Sequence, residues 1–494
     1  MKIKLNALII ASIIYSLNIK SETTINGKII GKNPLTIEYS VPINGVCYCG
    51  FKESTKTDSS GNFQIKLNTD KPAFVSMNIS GQLSNKMVIE PGFKYNVEIN
   101  LLDNVTEINV LSPDKKGQYL YSSLPNPSFI SMEYRKFAKD TTAILLKSKT
   151  DSLKEAELSQ FKKLLSAKEI TQDFYKLVEA DRNCYYSTIL SGVLLSKLSR
   201  KYIGRPSDFP LDMLQLLNSV FNDYPLNNGK FINSSFWFEY AKNFIISKEY
   251  LNKDFKLQEV KDLFKNGLLN THYIEEAKKQ LSEPNLEYYK AAYIYITGLQ
   301  KKYEKELINI FTQYEKEYPQ SSYTKYLDPL ISPIIEFHKK ATQSINPQIK
   351  FVENYSTFSS LKDAMVQFKG QKIFVDVWAT WCGPCKEEFK YKDKLYALLK
   401  KKNIHIVYIS IDKAEQDKQW KDMAVFYNLE GYHIRTNEKF ETDLRSIYNQ
   451  NGLVTIPWYI LINENGEITN KNASRPSELH KLEKDINKLT SDNI

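Results

Sequence analysis

The stretch FVDVWATWCGPC, residues 374–385, decides the fold of the last third of the chain. Its first half belongs to an apolar run, residues 371–380, of the kind that makes a buried strand, and it carries one acidic residue, Asp376. A charge inside such a strand is costly to bury and invites a chemical reason. The second half, Trp381-Cys382-Gly383-Pro384-Cys385, opens a helix running over 384–401, with Phe389, Tyr391, Leu395, Leu398 and Leu399 on its apolar side. A cysteine at a helix start faces unpaired amides and the positive end of the helix dipole, which favours its thiolate. Pro384 is tolerated in the first turn, where its missing amide would have no partner. Gly383 allows a tight approach, and Cys385 lies one turn on, close enough to close a disulfide with Cys382. That pattern is built for thiol–disulfide exchange, in which Cys382 attacks and Cys385 resolves the mixed disulfide. A bare pair of this spacing could be half a zinc site. Zinc would need two more ligands, and none of His272, His338, His405, His433 or His480 is spaced near the pair, so neither metal nor cofactor is expected.

Outward from the pair, strands and helices alternate. A second central strand is expected at 404–411, a helix at 415–428 and a shorter one over Phe440–Tyr448. A strand at 457–463, a tight turn at 463–466 and a hairpin partner at 467–469 precede a last helix, Ser477–Leu489. This is an α/β layered pattern spanning 350–494.

The chain ahead of it is multidomain in organisation. Residues 131–345 carry apolar residues at helical spacing over Asp151–Leu165, Ile170–Tyr202, Asp212–Val220, Trp237–Ser247 and Tyr288–Glu317, which predicts a helical region. Residues 22–130 alternate at period two between Pro and Gly turns, which predicts a small antiparallel β-sandwich. Residues 1–21 begin with Lys2 and Lys4, followed by an apolar run over Leu5–Leu17 that is short of the roughly 20 residues a spanning helix needs. This fits a secretory signal removed after Ser21, leaving a soluble protein of the periplasm or cell envelope; uncleaved, the segment would be a membrane anchor. Removal of Lys2, Lys4 and Lys20 lowers the formal charge from +10 to +7, and the remaining lysines are spread out, so no nucleic-acid partner is expected. Five cysteines are too few to staple a chain of 494 residues, so an exported protein of this kind is better read as working on disulfides than as held by them. Cys47 and Cys49 could form a redox pair, bind a metal with outside help, or remain two reduced thiols, whereas Cys184 reads as core.

FVDVWATWCGPC resembles the thioredoxin superfamily, and the exported setting is similar to the branch typified by TlpA and ResA. The strand-rich front resembles, in organisation alone, the β-domain ahead of such domains in proteins of Bacteroidetes-type bacteria. The resemblance implies that Asp376, six positions before Cys382, is a buried acid that takes a proton from Cys385. It implies that Pro457 is a cis-proline facing the cysteines, which exposes backbone groups of Ile456 to an extended substrate and keeps metal off the thiols. Thr455 stands where the family commonly has glycine, and Trp458 where a smaller polar residue is frequent; both touch the rim expected to face the substrate. The substrate groove is therefore expected from Trp381, Gly383, Pro384, Thr455, Ile456 and Trp458. Neither cysteine has the Pro-x-x-x-Thr/Ser-x-x-Cys setting of a peroxidase. The implied activity is reduction of protein disulfides, with protein thiols or disulfides as substrates and an upstream thiol protein as electron donor. A dimer interface in the helical region stays open. The alternative is a binding or scaffold protein whose first 350 residues recognise a partner, with the redox domain as an accessory.

Overall fold

The computed structural model describes residues 21–491 except 32–33, 44–49, 80–82, 102–106, 128, 140–141, 230, 253–254, 341–344 and 449–453. The signal-like segment, except Ser21, and Cys47 and Cys49 lie outside the described residues. The chain divides into two compact units, residues 1–293 with 320–326, and residues 294–319 with 327–494. Among the described residues no helix is long and apolar enough to cross a membrane.

Among the described residues, eight strands open the first unit: β1 (Ser21–Ile30), β2 (Thr36–Ser40), β3 (Lys52–Lys56), β4 (Asn62–Thr69), β5 (Ala73–Ile79), β6 (Leu83–Ile89), β7 (Lys94–Asn100) and β8 (Glu107–Val110). They form two four-stranded sheets, ordered β4-β1-β7-β8 and β3-β2-β5-β6. The alternation read from the sequence is real: Phe63, Ile65 and Leu67 of β4 and Tyr95, Val97 and Ile99 of β7 point inward, with exposed residues between them. The expectation of purely antiparallel pairing is corrected by β1, which pairs antiparallel with β4 but parallel with β7. A parallel neighbour needs a long crossover rather than a hairpin, and β2 to β6 provide it. Gly27 sits opposite Phe63, whose ring occupies the space a Cβ would need.

The helical residues begin ahead of the expected boundary at 130, with α1 (Lys115–Ser123), α2 (Ser131–Phe137), α3 (Ala143–Ser166), α4 (Gln172–Lys197), α5 (Leu211–Asp223), α6 (Trp237–Tyr250), α7 (Leu257–Lys265), α8 (Leu269–Gln280), α9 (Asn285–Leu299), α10 (Glu306–Glu317) and α11 (Thr324–Lys340). Gln118 of α1 accepts from the Val88 amide at 3.1 Å and donates to the Val88 carbonyl at 2.7 Å, so one side chain pairs with the open edge of β6. Behind it, buried Asp181 of α4 accepts from Tyr121 and Ser234 and lies 3.7 Å from the buried Lys86 ammonium. The expected single helical segment over Tyr288–Glu317 is two helices, because Lys301 and Tyr303 adopt φ of 50° and 56°, a left-handed backbone that cannot continue an α-helix. The two compact units also cut the chain elsewhere than periodicity suggested: residues 294–319 and 327–340 group with the C-terminal sheet.

That sheet contains β9 (Ile349–Phe351), β10 (Lys372–Trp378), β11 (Ile404–Ser410), β12 (Gly431–Arg435), β13 (Trp458–Ile462) and β14 (Ile468–Asn470), in the order β14-β13-β10-β11-β12-β9. Strands β9 to β12 run parallel, while β13 and β14 are antiparallel to their neighbours. Helices α12 (Leu361–Met365), α13 (Gly383–Glu388), α14 (Lys392–Lys401), α15 (Asp417–Phe426), α16 (Glu438–Tyr448) and α17 (Leu479–Ser491) cover it. One face of β10 sends Ile373, Val375 and Val377 into a core with Val407, Ile434, Phe440, Leu444 and Ile460. The other face presents Phe374, Asp376 and Trp378, and Trp378 meets Phe389 edge to face at 5.3 Å. Each large apolar side chain so buried contributes roughly 1.5–3 kcal/mol.

Candidate active site

β10 ends at Trp378, and the chain turns at once: the Cys382 amide donates to the Ala379 carbonyl at 3.0 Å. Asp412, beyond the end of β11, accepts from both the amide and the hydroxyl of Thr380, at 2.8 and 2.7 Å, and from Ser410 at 2.7 Å. These bonds pin the turn two residues before Cys382. Cys382 caps α13, and its Sγ accepts the Cys385 amide at 3.1 Å. The two sulfurs are joined as a disulfide, with Cα atoms 5.4 Å apart. Cys382 is 4% exposed and Cys385 0%, while Trp381 stands 50% exposed beside them. Pro384 is exposed. A Cβ on Gly383 would meet open space, so the expected need for glycine in a tight approach is not found there.

Asp376 is buried, and its Oδ1 has no hydrogen-bond partner among the described residues. It pairs in register with Tyr408 of β11 and Tyr459 of β13. Burial holds its carboxyl well above the ordinary carboxylate range, and the charge of Glu388 adds to that rise. Asp376 alternates with Phe374 and Trp378, and Trp378 packs on Phe389; Cys385 lies one helical turn before Phe389. The acid therefore belongs to the sheet face that α13 covers. The Ile456–Pro457 bond is cis. Because Trp458 pairs with Val377, Pro457 lies at the end of β10 from which the Cys382 turn departs. Thr455 is exposed, Ile456 half-buried and Pro457 buried. Trp458 does not stand on a rim: it is 3% exposed, packs edge to face on Tyr448, and donates its indole N–H to the Lys471 carbonyl. Cys184 is a free, buried cysteine in α4, and burial pushes its thiol far up.

Three groups of the site lay unnoticed in the sequence. Glu388 is buried and accepts from the amide and hydroxyl of Ser477, both at 2.9 Å. Asp412 holds Thr380, and burial raises its carboxyl against the pull of the Ser410 and Thr380 hydrogen bonds. Lys386 follows Cys385, is only 2% exposed, and donates to the Lys301 carbonyl at 2.5 Å. Lys and Glu within "CKEEFKYKDK" read as solvated charge, and only the three-residue step from Cys385 to Glu388 hinted otherwise. Among the described residues no cluster of three or more His, Cys, Asp or Glu is placed to hold a metal ion.

A redoxin family model matches residues 342–486. Residues 342–486 are a redoxin domain, thioredoxin-like in kind. The chain is 28% identical over 129 residues to the thiol-disulfide oxidoreductase ResA of Bacillus thuringiensis subsp. konkukian, covering 26% of this chain and 69% of that protein. It is 28% identical over 107 residues to the sporulation thiol-disulfide oxidoreductase A of Bacillus subtilis, covering 22% and 62%. A solution structure of a Bacteroides vulgatus protein assigned as a thiol-disulfide oxidoreductase is 32% identical, covering 26% of this chain and 80% of that one, with a TM-score of 0.22. The redoxin domain is a thiol–disulfide oxidoreductase.

Proposed function

We propose that the chain is an extracytoplasmic oxidoreductase that reduces protein disulfides through Cys382 and Cys385. The observation that carries this reading is the Cys382–Cys385 disulfide at the start of α13, together with the buried Asp376 on the sheet face that this helix covers. In the reduced protein the Cys382 thiolate attacks one sulfur of a substrate disulfide and expels the other as a thiolate. Cys385 then gives its proton to the ionised Asp376 and attacks Cys382, which releases the substrate's second thiol and leaves the Cys382–Cys385 disulfide. Two electrons pass to the substrate, and an upstream thiol protein returns them. Trp381, Gly383, Pro384, Thr455 and Ile456 line the groove in this reading, with Pro457 presenting the Ile456 backbone. Export rests on the charged start and short apolar run at 1–21, and the strand-rich residues 22–130 are taken as a sandwich-like domain. Reduced protein mixed with a peptide disulfide should release two thiols per molecule and end oxidised at Cys382–Cys385. No thiol release in excess of a Cys382→Ser control would refute it.

The alternative, a partner-binding protein with an accessory redox domain, is favoured by one fact: the redoxin match leaves residues 1–341 unaccounted for. A chain without residues 22–293 that reduces small disulfides normally but loses a folded protein substrate would support a recognition role for the front.

A further inference from the structure

The segment between α9 and α10 reaches the redox helix. Lys301 touches two consecutive residues after Cys385: its carbonyl accepts from the Lys386 ammonium at 2.5 Å, and its own ammonium pairs with Glu387. Tyr303, two residues on, anchors the segment. Its hydroxyl meets that of Tyr427 at 2.7 Å, and its ring packs on Phe337 and Phe426 at 5.1 and 5.2 Å. The Lys302 carbonyl accepts from Gln419 at 2.9 Å, and His338 bonds the Tyr303 carbonyl at 2.8 Å. The left-handed backbone at Lys301 and Tyr303 makes this tight reversal. Lys386 therefore lies buried under a strap contributed from outside the redoxin match, with its ammonium 5.7 Å from the Tyr303 ring centroid.

Lys386 is also one helical turn from Cys382, and its amide points at the Cys382 carbonyl at 3.4 Å. Residues four apart share a helix face at about 5–6 Å between Cβ atoms. A positive charge carried from that face and screened from water favours a thiolate in the same turn.

We propose that the strap formed by residues 300–305 is a working part of the redox site, and that the Lys386 charge it encloses stabilises the Cys382 thiolate, making Lys386 a positioning residue for the exchange reaction. The inference rests on Cys382 being the attacking thiol. The groups that face Lys386 set its own protonation. Burial draws the ammonium down to about 8; Asp412 opposes this, Lys301 and Lys302 add to it, Glu387 is engaged by Lys301, and Tyr303 lends its ring. The charge is therefore present at pH 7 and fades as pH rises through about 8.

The test compares the full-length protein with Lys386→Met and Lys386→Arg, following the rate of Cys382 with a small aromatic disulfide from pH 5 to 10 and the equilibrium with glutathione at pH 7. Lys386→Met should raise the Cys382 pKa, slow the pH 7 reaction about three- to tenfold, and shift the equilibrium by a similar factor toward the disulfide. Lys386→Arg, charged throughout the range, should restore both. A second variant, Tyr303→Ser, should admit water to Lys386 and give a partial loss in the same direction. Folded Lys386→Met with wild-type pKa and equilibrium would overturn the proposal, as would an arginine variant as impaired as the methionine one. A wild-type protein inert toward the disulfide would instead sink the exchange reading itself.

Discussion

The Asp376 carboxyl is biased toward its protonated form, because burial and the Glu388 charge both oppose ionisation. Its folded pKa lies above its unfolded value, so it contributes stability below the unfolded pKa that is lost as pH rises through the folded one. Asp376→Asn, neutral throughout, should match the wild type in urea at pH 4 and exceed it at pH 8. The same variant should slow the resolving step roughly 10²-fold, the scale of a lost general base. Stopped-flow decay of the mixed disulfide measures that step, and an unchanged rate would leave Asp376 a structural residue. Cys385→Ser should accumulate a mixed disulfide on Cys382 that mass spectrometry detects, whereas Cys382→Ser should accumulate none. These residues were legible because a motif fixes their spacing. Lys386 was not, because the segment that buries it lies 85 residues earlier, and burial by a distant strap leaves no local mark.

Strand β12 shows how an element can hide. Its sequence, Gly-Tyr-His-Ile-Arg, has little apolar periodicity, yet it sits between β9 and β11 with His433 fully buried. The imidazole stacks on Tyr408 at 5.0 Å and bonds the Leu429 carbonyl at 2.7 Å, and burial draws its pKa down to about 4. A folded pKa below the unfolded one means that its contribution is whole above about 6.5 and lost as pH falls toward 4. This lowers stability by about 3 kcal/mol across that window. His433→Gln should flatten that part of the curve, as urea midpoints at pH 7 and 4.5 would record. The strands of β10 and β11 were plain because continuous apolar runs announce two-sided burial. β12 was obscured because its neighbours, rather than its composition, make it a strand. The break between α9 and α10 was invisible for a related reason: lysine and tyrosine at left-handed backbone carry no helix-stop signal of the kind glycine or proline would.

Across the whole molecule, periodicity identified the kind of element but not its company. Residues 294–319 and 327–340 read as helices of the middle region, yet they form one compact unit with the redoxin domain. A fragment spanning 345–494 would uncover Phe426 and Tyr427, which Tyr303 and Phe337 now shield. Uncovering these two aromatic side chains should lower its thermal midpoint by about 10 °C relative to a fragment starting at 294, and circular dichroism melts of the two would decide. The amide of Gln118 on Val88 has a consequence at the same scale. An uncapped sheet margin is a template onto which a sister molecule can add its own strand, and such additions propagate. A single glutamine occupies one rung of that ladder with a donor and an acceptor that cannot be extended further. Gln118→Ala would hand the rung back, and the cost would surface as turbidity in concentrated or refolding protein rather than as lost catalysis.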